Sequence, residues 1–154
     1  MRTEPRMLQL NLPAYDYQVI RKQEKLYIFD VLRRKYIFLT PEEWVRQHFV
    51  HFLLDRYSYP KSLIKAESSL AYNSLSKRAD LLVFDRAGQP FMLIECKDTL
   101  VPLNETVFQQ AAHYNHIVRA AYLVIVNGLE WFCYRTDHAA GLSELLADLP
   151  VFPE

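Results

Sequence analysis

The sequence contains few glycines, few cysteines and no excess of charge. Its 154 residues include 3 glycines and 2 cysteines, and 18 lysines and arginines balance 18 aspartates and glutamates. Cys96 and Cys133 lie in apolar runs without the spacing of a zinc or redox motif, which indicates reduced, buried packing residues. A formal net charge of zero excludes a protein that holds nucleic acid by bulk positive charge alone.

Long apolar segments are also missing. No stretch approaches the roughly 18 uninterrupted apolar residues of a membrane-spanning helix. The N-terminal sequence MRTEPRMLQLNLP lacks the apolar centre of a signal peptide. We therefore expect a cytoplasmic protein that makes no use of a membrane.

The chain does have enough apolar material for one core. Hydrophobic residues make up 51% of it and aromatic residues 14%, and a chain of this length usually forms one domain. We expect an N-terminal arm over residues 1–13 that is free to fray, a single domain over residues 14–150 and a tail over residues 151–154.

Local patterns along the chain predict an α/β fold. The expected elements, in chain order, are a hairpin of residues 25–30 and 36–39, a helix over 41–56, a strand over 63–72, a hairpin of 79–84 and 91–96, a helix over 105–119, strands over 121–126 and 131–134, and a short helix over 142–149. This order favours an α/β sandwich with a central mixed sheet flanked by helices and preceded by an N-terminal hairpin.

The central hairpin places two acidic side chains opposite one another. If Ala87 and Gly88 occupy the centre of its turn, Asp80 pairs with Glu95, and Lys97 shares the face of Glu95 because side chains alternate along a strand. Like charges at this spacing are destabilising unless one is protonated or a cation binds between them. A three-residue loop would instead shift the register by one and turn Asp80 to the other face.

These three residues, the carboxylate–lysine trio, suit metal-assisted hydrolysis of a phosphodiester bond. Asp80 and Glu95, with the backbone carbonyl of Cys96, provide the oxygen ligands that Mg²⁺ prefers, and Mn²⁺ can take its place. Lys97 is then placed to orient or deprotonate the attacking water and to offset charge in the transition state. The alternative is a ladder of ion pairs on an exposed sheet face, although the apolar neighbours favour a buried sheet on which three charges need a function.

Two motifs of the PD-(D/E)XK nuclease superfamily, II and III, resemble segments of this chain: RADLLVFD at residues 78–85 and IECK at residues 94–97. Within that superfamily the chain resembles the N-terminal nuclease domain of type I restriction enzyme R subunits, in a small stand-alone form found in bacteria. Further agreement comes from LTPEEWVRQ at residues 39–47, YP at 59–60 and QAAHY at 110–114, which corresponds to the family's Gln-x-x-x-Tyr motif. The resemblance implies a restriction-endonuclease-like three-layer sandwich.

The resemblance also implies roles for matching residues. It makes Asp80 and Glu95 metal ligands, Lys97 the catalytic lysine and Glu43 the acidic residue of the first helix. Supporting or DNA-contacting roles then fall to Gln110, Tyr114, Arg46 and Gln47. Position alone adds Lys77 and Arg78, which directly precede the site and either contact phosphate or are simply solvated. Glu67, on the strand before the hairpin, is either a supporting acid or solvated.

Several of these residues have a simpler interpretation. Glu43 stands three residues after Thr40 and would complete a capping box, so its role beyond helix capping is open. Gln110 and Tyr114 lie one helical turn apart and either flank the metal site or form an ordinary helix pair with Tyr114 in an apolar stripe. The histidine pairs at i,i+3 spacing, His48 with His51 and His113 with His116, have no evident third metal ligand and are interpreted as structural.

The leading hypothesis is a Mg²⁺-dependent endodeoxyribonuclease that resembles restriction enzymes. The first alternative is a non-catalytic module that keeps the nuclease fold to bind nucleic acid or a partner subunit encoded elsewhere. A weaker one is an interaction domain that forms a homodimer through the strand edges of residues 27–39 and 122–134.

The zero net charge conceals two halves of opposite sign. Residues 1–78 contain 14 basic and 8 acidic residues, whereas residues 79–154 contain 4 basic and 10 acidic ones. The positive half supplies candidates for contact with a nucleic-acid backbone, namely Arg21, Lys22, Arg33, Arg34, Lys35, Lys61, Lys65, Lys77 and Arg78.

Overall fold

The computed structural model describes residues 7–66 and 80–154. Within them a six-stranded mixed sheet carries one helix on each face, and a three-stranded antiparallel sheet precedes it. The elements are β1 (Val19–Lys22), β2 (Lys25–Asp30), β3 (Lys35–Phe38), α1 (Pro41–Tyr57), a 3₁₀ turn (Lys61–Leu63), β4 (Ile64–Ala66), β5 (Leu81–Phe84), β6 (Pro90–Cys96), α2 (Glu105–Val118), β7 (Tyr122–Val126), β8 (Trp131–Asp137) and β9 (Leu142–Leu146). The large sheet has the order β4-β5-β6-β7-β8-β9, and β6 and β7 are its parallel pair.

Alternation along the central strands produces three layers. Leu81 faces α1 and packs in one core with Val45 and Phe49, whereas Leu82 faces α2 and packs in a second core with Val107. All five are buried. Because successive side chains of a strand point to opposite faces, each face of the sheet packs against its own helix. This arrangement confirms the expected three-layer sandwich.

Both long helices begin where the sequence predicts and end within one residue of the predicted position. The Thr40 hydroxyl accepts a hydrogen bond from the Glu43 amide at 3.0 Å, and the Asn104 side chain accepts one from the Val107 amide at 3.1 Å. These caps satisfy amides that have no partner inside the helix. Neither described helix is long and apolar enough to cross a membrane.

The N-terminal sheet is larger than the expected hairpin. β2 and β3 form that hairpin, but β1 pairs with the other edge of β2 and adds a third strand. The strand expected over residues 63–72 is present as β4, and its continuation from residue 67 lies outside the described residues.

The prediction of a short C-terminal helix over residues 142–149 is wrong. Residues Leu142–Leu146 form β9, which pairs antiparallel with β8 after a tight reversal at Gly141. An isolated helix of eight residues is only marginally stable without tertiary packing. In the strand, five residues instead pair with five residues at the edge of β8. Only Leu146 of this strand packs against the core, and Leu142 and Leu145 stay exposed.

Residues near both ends of the described part of the chain pack onto the domain. Leu10 is buried, and the Asn11 amide donates to the Gly128 carbonyl at 2.7 Å. Phe152 is buried in the aromatic cluster beside α1. The segment expected to fray is thus held from Leu10, because its leucines fill part of the core.

His48 and His51 serve packing, as the sequence analysis favours. The His48 ring is buried, lies 2.9 Å from the Trp44 carbonyl through Nδ1 and meets the Trp44 ring edge-on. The His51 ring stacks on Tyr15 with centroids 3.8 Å apart. Burial lowers the pKa of both histidines below the ordinary value.

We expect stability to fall as the pH drops below about 6.5, the ordinary histidine pKa. Because the folded-state pKa of His48 is lowered, the unfolded chain binds protons in this range before the folded chain does, which favours unfolding. The thermal midpoint measured from pH 7.5 to 5.5 should therefore decline, and less steeply in His48→Gln. His113→Gln, at an exposed histidine of α2, is the control; an unchanged slope in His48→Gln would contradict this reading.

Candidate active site

The hairpin of β5 and β6 reaches the expected register by an unexpected route. Its loop has three residues, since the Asp85 amide donates to the Gln89 carbonyl at 2.9 Å and Phe84 pairs with Pro90. That loop alone would turn Asp80 to the wrong face. A bulge at Phe91 adds one residue to β6 and restores the register, so that Leu81 pairs with Ile94.

The restored register brings the carboxylate–lysine trio to one end of the sheet. Asp80 directly precedes β5, and its Oδ2 accepts a hydrogen bond from the Cys96 amide at 2.6 Å. The Lys97 Nζ lies 3.3 Å from the Glu95 Oε2, as expected for two residues on one face of a strand. Glu95 is 5% exposed, so this ion pair is shielded from water on its acidic side.

Glu43 reaches the same end of the sheet from α1. It is 4% exposed, and its carboxylate accepts hydrogen bonds from Nε and Nη2 of Arg46 and from the side-chain amide of Gln47, the latter at 2.6 Å. Arg46 also donates to the Asp80 carbonyl at 3.2 Å and lies 4.0 Å from the Asp80 carboxylate. A buried arginine thus joins the helical acid to the hairpin acid.

The charges at this end of the sheet act on one another. Burial acts to lower the pKa of Arg46, but the hydrogen bond and charge of Glu43 outweigh it and raise that pKa. Burial raises the pKa of the Cys96 thiol well above its ordinary value, and Asp80 raises it further. Cys96 therefore stays protonated and serves packing, as expected.

Two residues that sequence reasoning did not connect to the site extend the network. Asp30, 1% exposed, accepts hydrogen bonds from the Leu32 and Arg33 amides and pairs with the Arg33 guanidinium at 2.8 Å. The same Arg33 nitrogen, Nη2, also lies 4.0 Å from the Glu43 Oε1. The signal was available in the Asp-x-x-Arg spacing, which forms a side-chain-stabilised turn where it follows a strand.

The other candidate residues differ in exposure and packing. Gln110 is on the exposed side of α2, while Tyr114 is buried between α2 and the sheet with Ala111, in the packing role left open above. The remaining candidates, Glu67, Lys77 and Arg78, lie outside the described residues.

The donor set fits a hard divalent cation that keeps part of its water. Two carboxylates and a backbone carbonyl are oxygen ligands of the kind that Mg²⁺ binds alongside water. On α1, the buried Gln47 Oε1 accepts no hydrogen bond from the described residues, which leaves acceptor capacity next to Glu43. Within residues 7–66 and 80–154, no three His, Cys, Asp or Glu side chains form a cluster that could hold a metal by themselves, so binding here would depend on the carbonyl and water.

We expect Arg46→Met to lower the free energy of unfolding by about 3–5 kcal/mol, because it leaves the buried Glu43 carboxylate without its cation. Urea unfolding followed by circular dichroism measures the loss. The double variant Glu43→Gln/Arg46→Met should recover at least about 1 kcal/mol relative to the sum of the single variants.

A matched pair on the surface provides the control. Arg135 and Glu144 lie 2.6 Å apart with both side chains more than half exposed. Arg135→Met should therefore lower the free energy of unfolding far less than Arg46→Met does, because water screens an exposed ion pair. Equal losses at Arg46 and Arg135 would argue against a buried charge network.

Comparison with known proteins places the chain in a family. The family model "Type I restriction enzyme R protein N terminus" matches residues 41–150. Among solved structures, a fragment described as an HsdR subunit of a type I restriction enzyme from Vibrio vulnificus YJ016 aligns with a TM-score of 0.45 and 21% sequence identity. The alignment covers 64% of this chain and 21% of that one, so this chain spans about a fifth of its length. No curated protein matches the chain significantly. The family match covers well over half of the residues, and the chain belongs to the family of type I restriction enzyme R protein N-terminal domains.

Proposed function

We propose that this domain hydrolyses phosphodiester bonds of DNA with bound Mg²⁺, for which Mn²⁺ can substitute. The observation that carries the proposal is the arrangement of Asp80, Glu95 and Lys97 at one end of the sheet. Asp80 is anchored on the Cys96 amide, and Lys97 lies 3.3 Å from Glu95. A largely buried lysine–carboxylate pair beside a second carboxylate is costly for stability alone, which favours a catalytic use.

Each member of the trio has a separate task in this proposal. Asp80 and Glu95, with the Cys96 carbonyl, would hold the metal, which supplies polarisation of a phosphate oxygen and a more acidic bound water. The Cys96 amide fixes the direction of one Asp80 oxygen, so the other needs little reorganisation. The Lys97 ammonium would orient the attacking water and offset negative charge as the phosphate bond breaks.

Glu43 and Arg46 would act through Asp80. Arg46 donates to the Asp80 carbonyl and is itself held by Glu43, so α1 fixes the start of β5 relative to β6. These two residues are positioning residues in the proposal. Gln47, which donates to Glu43, supports the same arrangement.

A second candidate function is a non-catalytic module that binds nucleic acid or another subunit. The observation that favours it is the guanidinium of Arg46, 4.0 Å from the Asp80 carboxylate. A resident cation at this distance already offsets part of the charge that a metal would otherwise neutralise. Such a module would bind DNA with an affinity that depends on salt but not on EDTA or on Lys97.

We expect Asp80→Asn and Lys97→Met each to reduce Mg²⁺-dependent DNA cleavage by at least about 100-fold. Asparagine keeps an oxygen for the Cys96 amide, so the hairpin should remain folded. Cleavage is measured with Mg²⁺ and Mn²⁺ on linear, nicked, branched and single-stranded DNA, and circular dichroism monitors the fold.

Asp85→Asn is the matched control. Asp85 also accepts backbone amides of this hairpin, from Ala87 and Gln89, but at the opposite end of the strands. Its substitution should leave cleavage unchanged. Cleavage that survives in Lys97→Met, or a wild-type chain that cuts none of these substrates with either metal, would refute the nuclease proposal.

A further inference from the structure

A cleft of about 540 Å³ lies between the N-terminal sheet and the edge of the large sheet. One wall is the β2–β3 turn with Arg33 and Arg34, and the other is formed by the 3₁₀ turn and β4 with Lys61 and Lys65. The apolar lining is Val31, Leu32, Ile64, Ala66 and Phe84. We call this surface the basic cleft, because the charged residues that line it within the described part of the chain are all cations.

Among the residues that the structure describes, three of its four cations form no ion pair. Arg33 is paired with Asp30, but in the part of the chain that the structure describes no carboxylate forms an ion pair with Arg34, Lys61 or Lys65. All three side chains are exposed. Cations that converge on one cleft from two separate elements repel one another, and a bound polyanion would relieve that repulsion.

The backbone around Arg34 holds this arrangement in place. Arg34 has the left-handed conformation, with φ of 58°, and its amide donates to the Asp30 carbonyl at 2.7 Å. A residue other than glycine seldom adopts this conformation. The turn therefore directs Arg34 toward the cleft by a conformation that the buried Asp30 maintains.

The basic cleft leads to the candidate active site. It follows β4, and its Ala66 pairs with Leu81, the residue after Asp80. Arg33, in the wall formed by the β2–β3 turn, lies 4.0 Å from Glu43. A chain lying in the cleft would thus pass the carboxylate–lysine trio at one end.

We propose that the basic cleft binds the phosphodiester backbone of the DNA substrate and guides it to Asp80, Glu95 and Lys97. This inference rests on the proposed nuclease function. Repeating phosphates match cations spaced along the cleft, and sugars match its apolar lining. Contacts of this kind fix position and contribute affinity without reading sequence.

The structure separates these cations from other basic residues of the same half of the chain. Lys22 and Lys25 are also exposed lysines, but they lie at the β1–β2 turn, the opposite end of β2 from Asp30. They provide a control pair with the same residue type and the same change in charge.

The test is DNA binding without a metal. Fluorescence anisotropy with a labelled 20-base-pair duplex in EDTA compares Lys61→Ala/Lys65→Ala with Lys22→Ala/Lys25→Ala at 50–200 mM salt. Each lost phosphate contact should weaken binding roughly eightfold at 0.1 M salt and reduce the salt slope by about 0.9. The cleft pair should therefore lose roughly 60-fold, whereas the control pair should change less than about threefold, and Lys61→Arg/Lys65→Arg should retain binding.

The outcomes separate this inference from the nuclease proposal. Unchanged affinity in the cleft pair, or an equal loss in both pairs, overturns the cleft assignment even if the protein cuts DNA. A protein that binds through the cleft and never cuts DNA supports the cleft assignment and refutes catalysis.

Discussion

The Arg46 guanidinium, buried between Glu43 and Asp80, is the interaction on which the acidic end of the sheet depends. Taking a carboxylate out of water costs several kcal/mol unless a cation and hydrogen bonds replace the water. Arg46 provides both for Glu43 and connects α1 to the residue that precedes β5. With Asp30 and Arg33, the charges alternate in sign from the N-terminal sheet to the hairpin. These ion pairs therefore connect the N-terminal sheet to α1, and α1 to the start of β5.

The zero net charge results from charges of opposite sign that lie in different parts of the structure. Composition excludes a uniformly basic surface, and the structure instead has cations gathered along one cleft and carboxylates at the neighbouring end of the sheet. The positive potential of the cleft can attract a polyanion, and the negative potential at the end of the sheet can hold a metal. Salt screens exposed charges that lie far apart. Family membership agrees with a nuclease-type domain. The geometry indicates which residues would take part in the proposed hydrolysis.

The features of this fold that depend on local chemistry are predictable from the sequence. The caps at Thr40 and Asn104, the alternation along β5 and β6 and the pairing that places Glu95 beside Lys97 follow from rules that act over a few residues. Features that depend on distant partners were missed. β9 forms because the edge of β8 is free, and Arg33 reaches Glu43 only because the N-terminal sheet packs against α1. Neither neighbour is visible within a sequence window, and tertiary packing decides both.

The bulge at Phe91 links the length of a loop to the chemistry of the site. The three-residue loop and the bulge each shift the register by one residue, and the two shifts cancel. An insertion or deletion at either place alone would move Asp80 away from Glu95 and toward the opposite layer. A variant of this chain with a longer or shorter hairpin tip would therefore keep each carboxylate on its face only if the loop and the bulge change together.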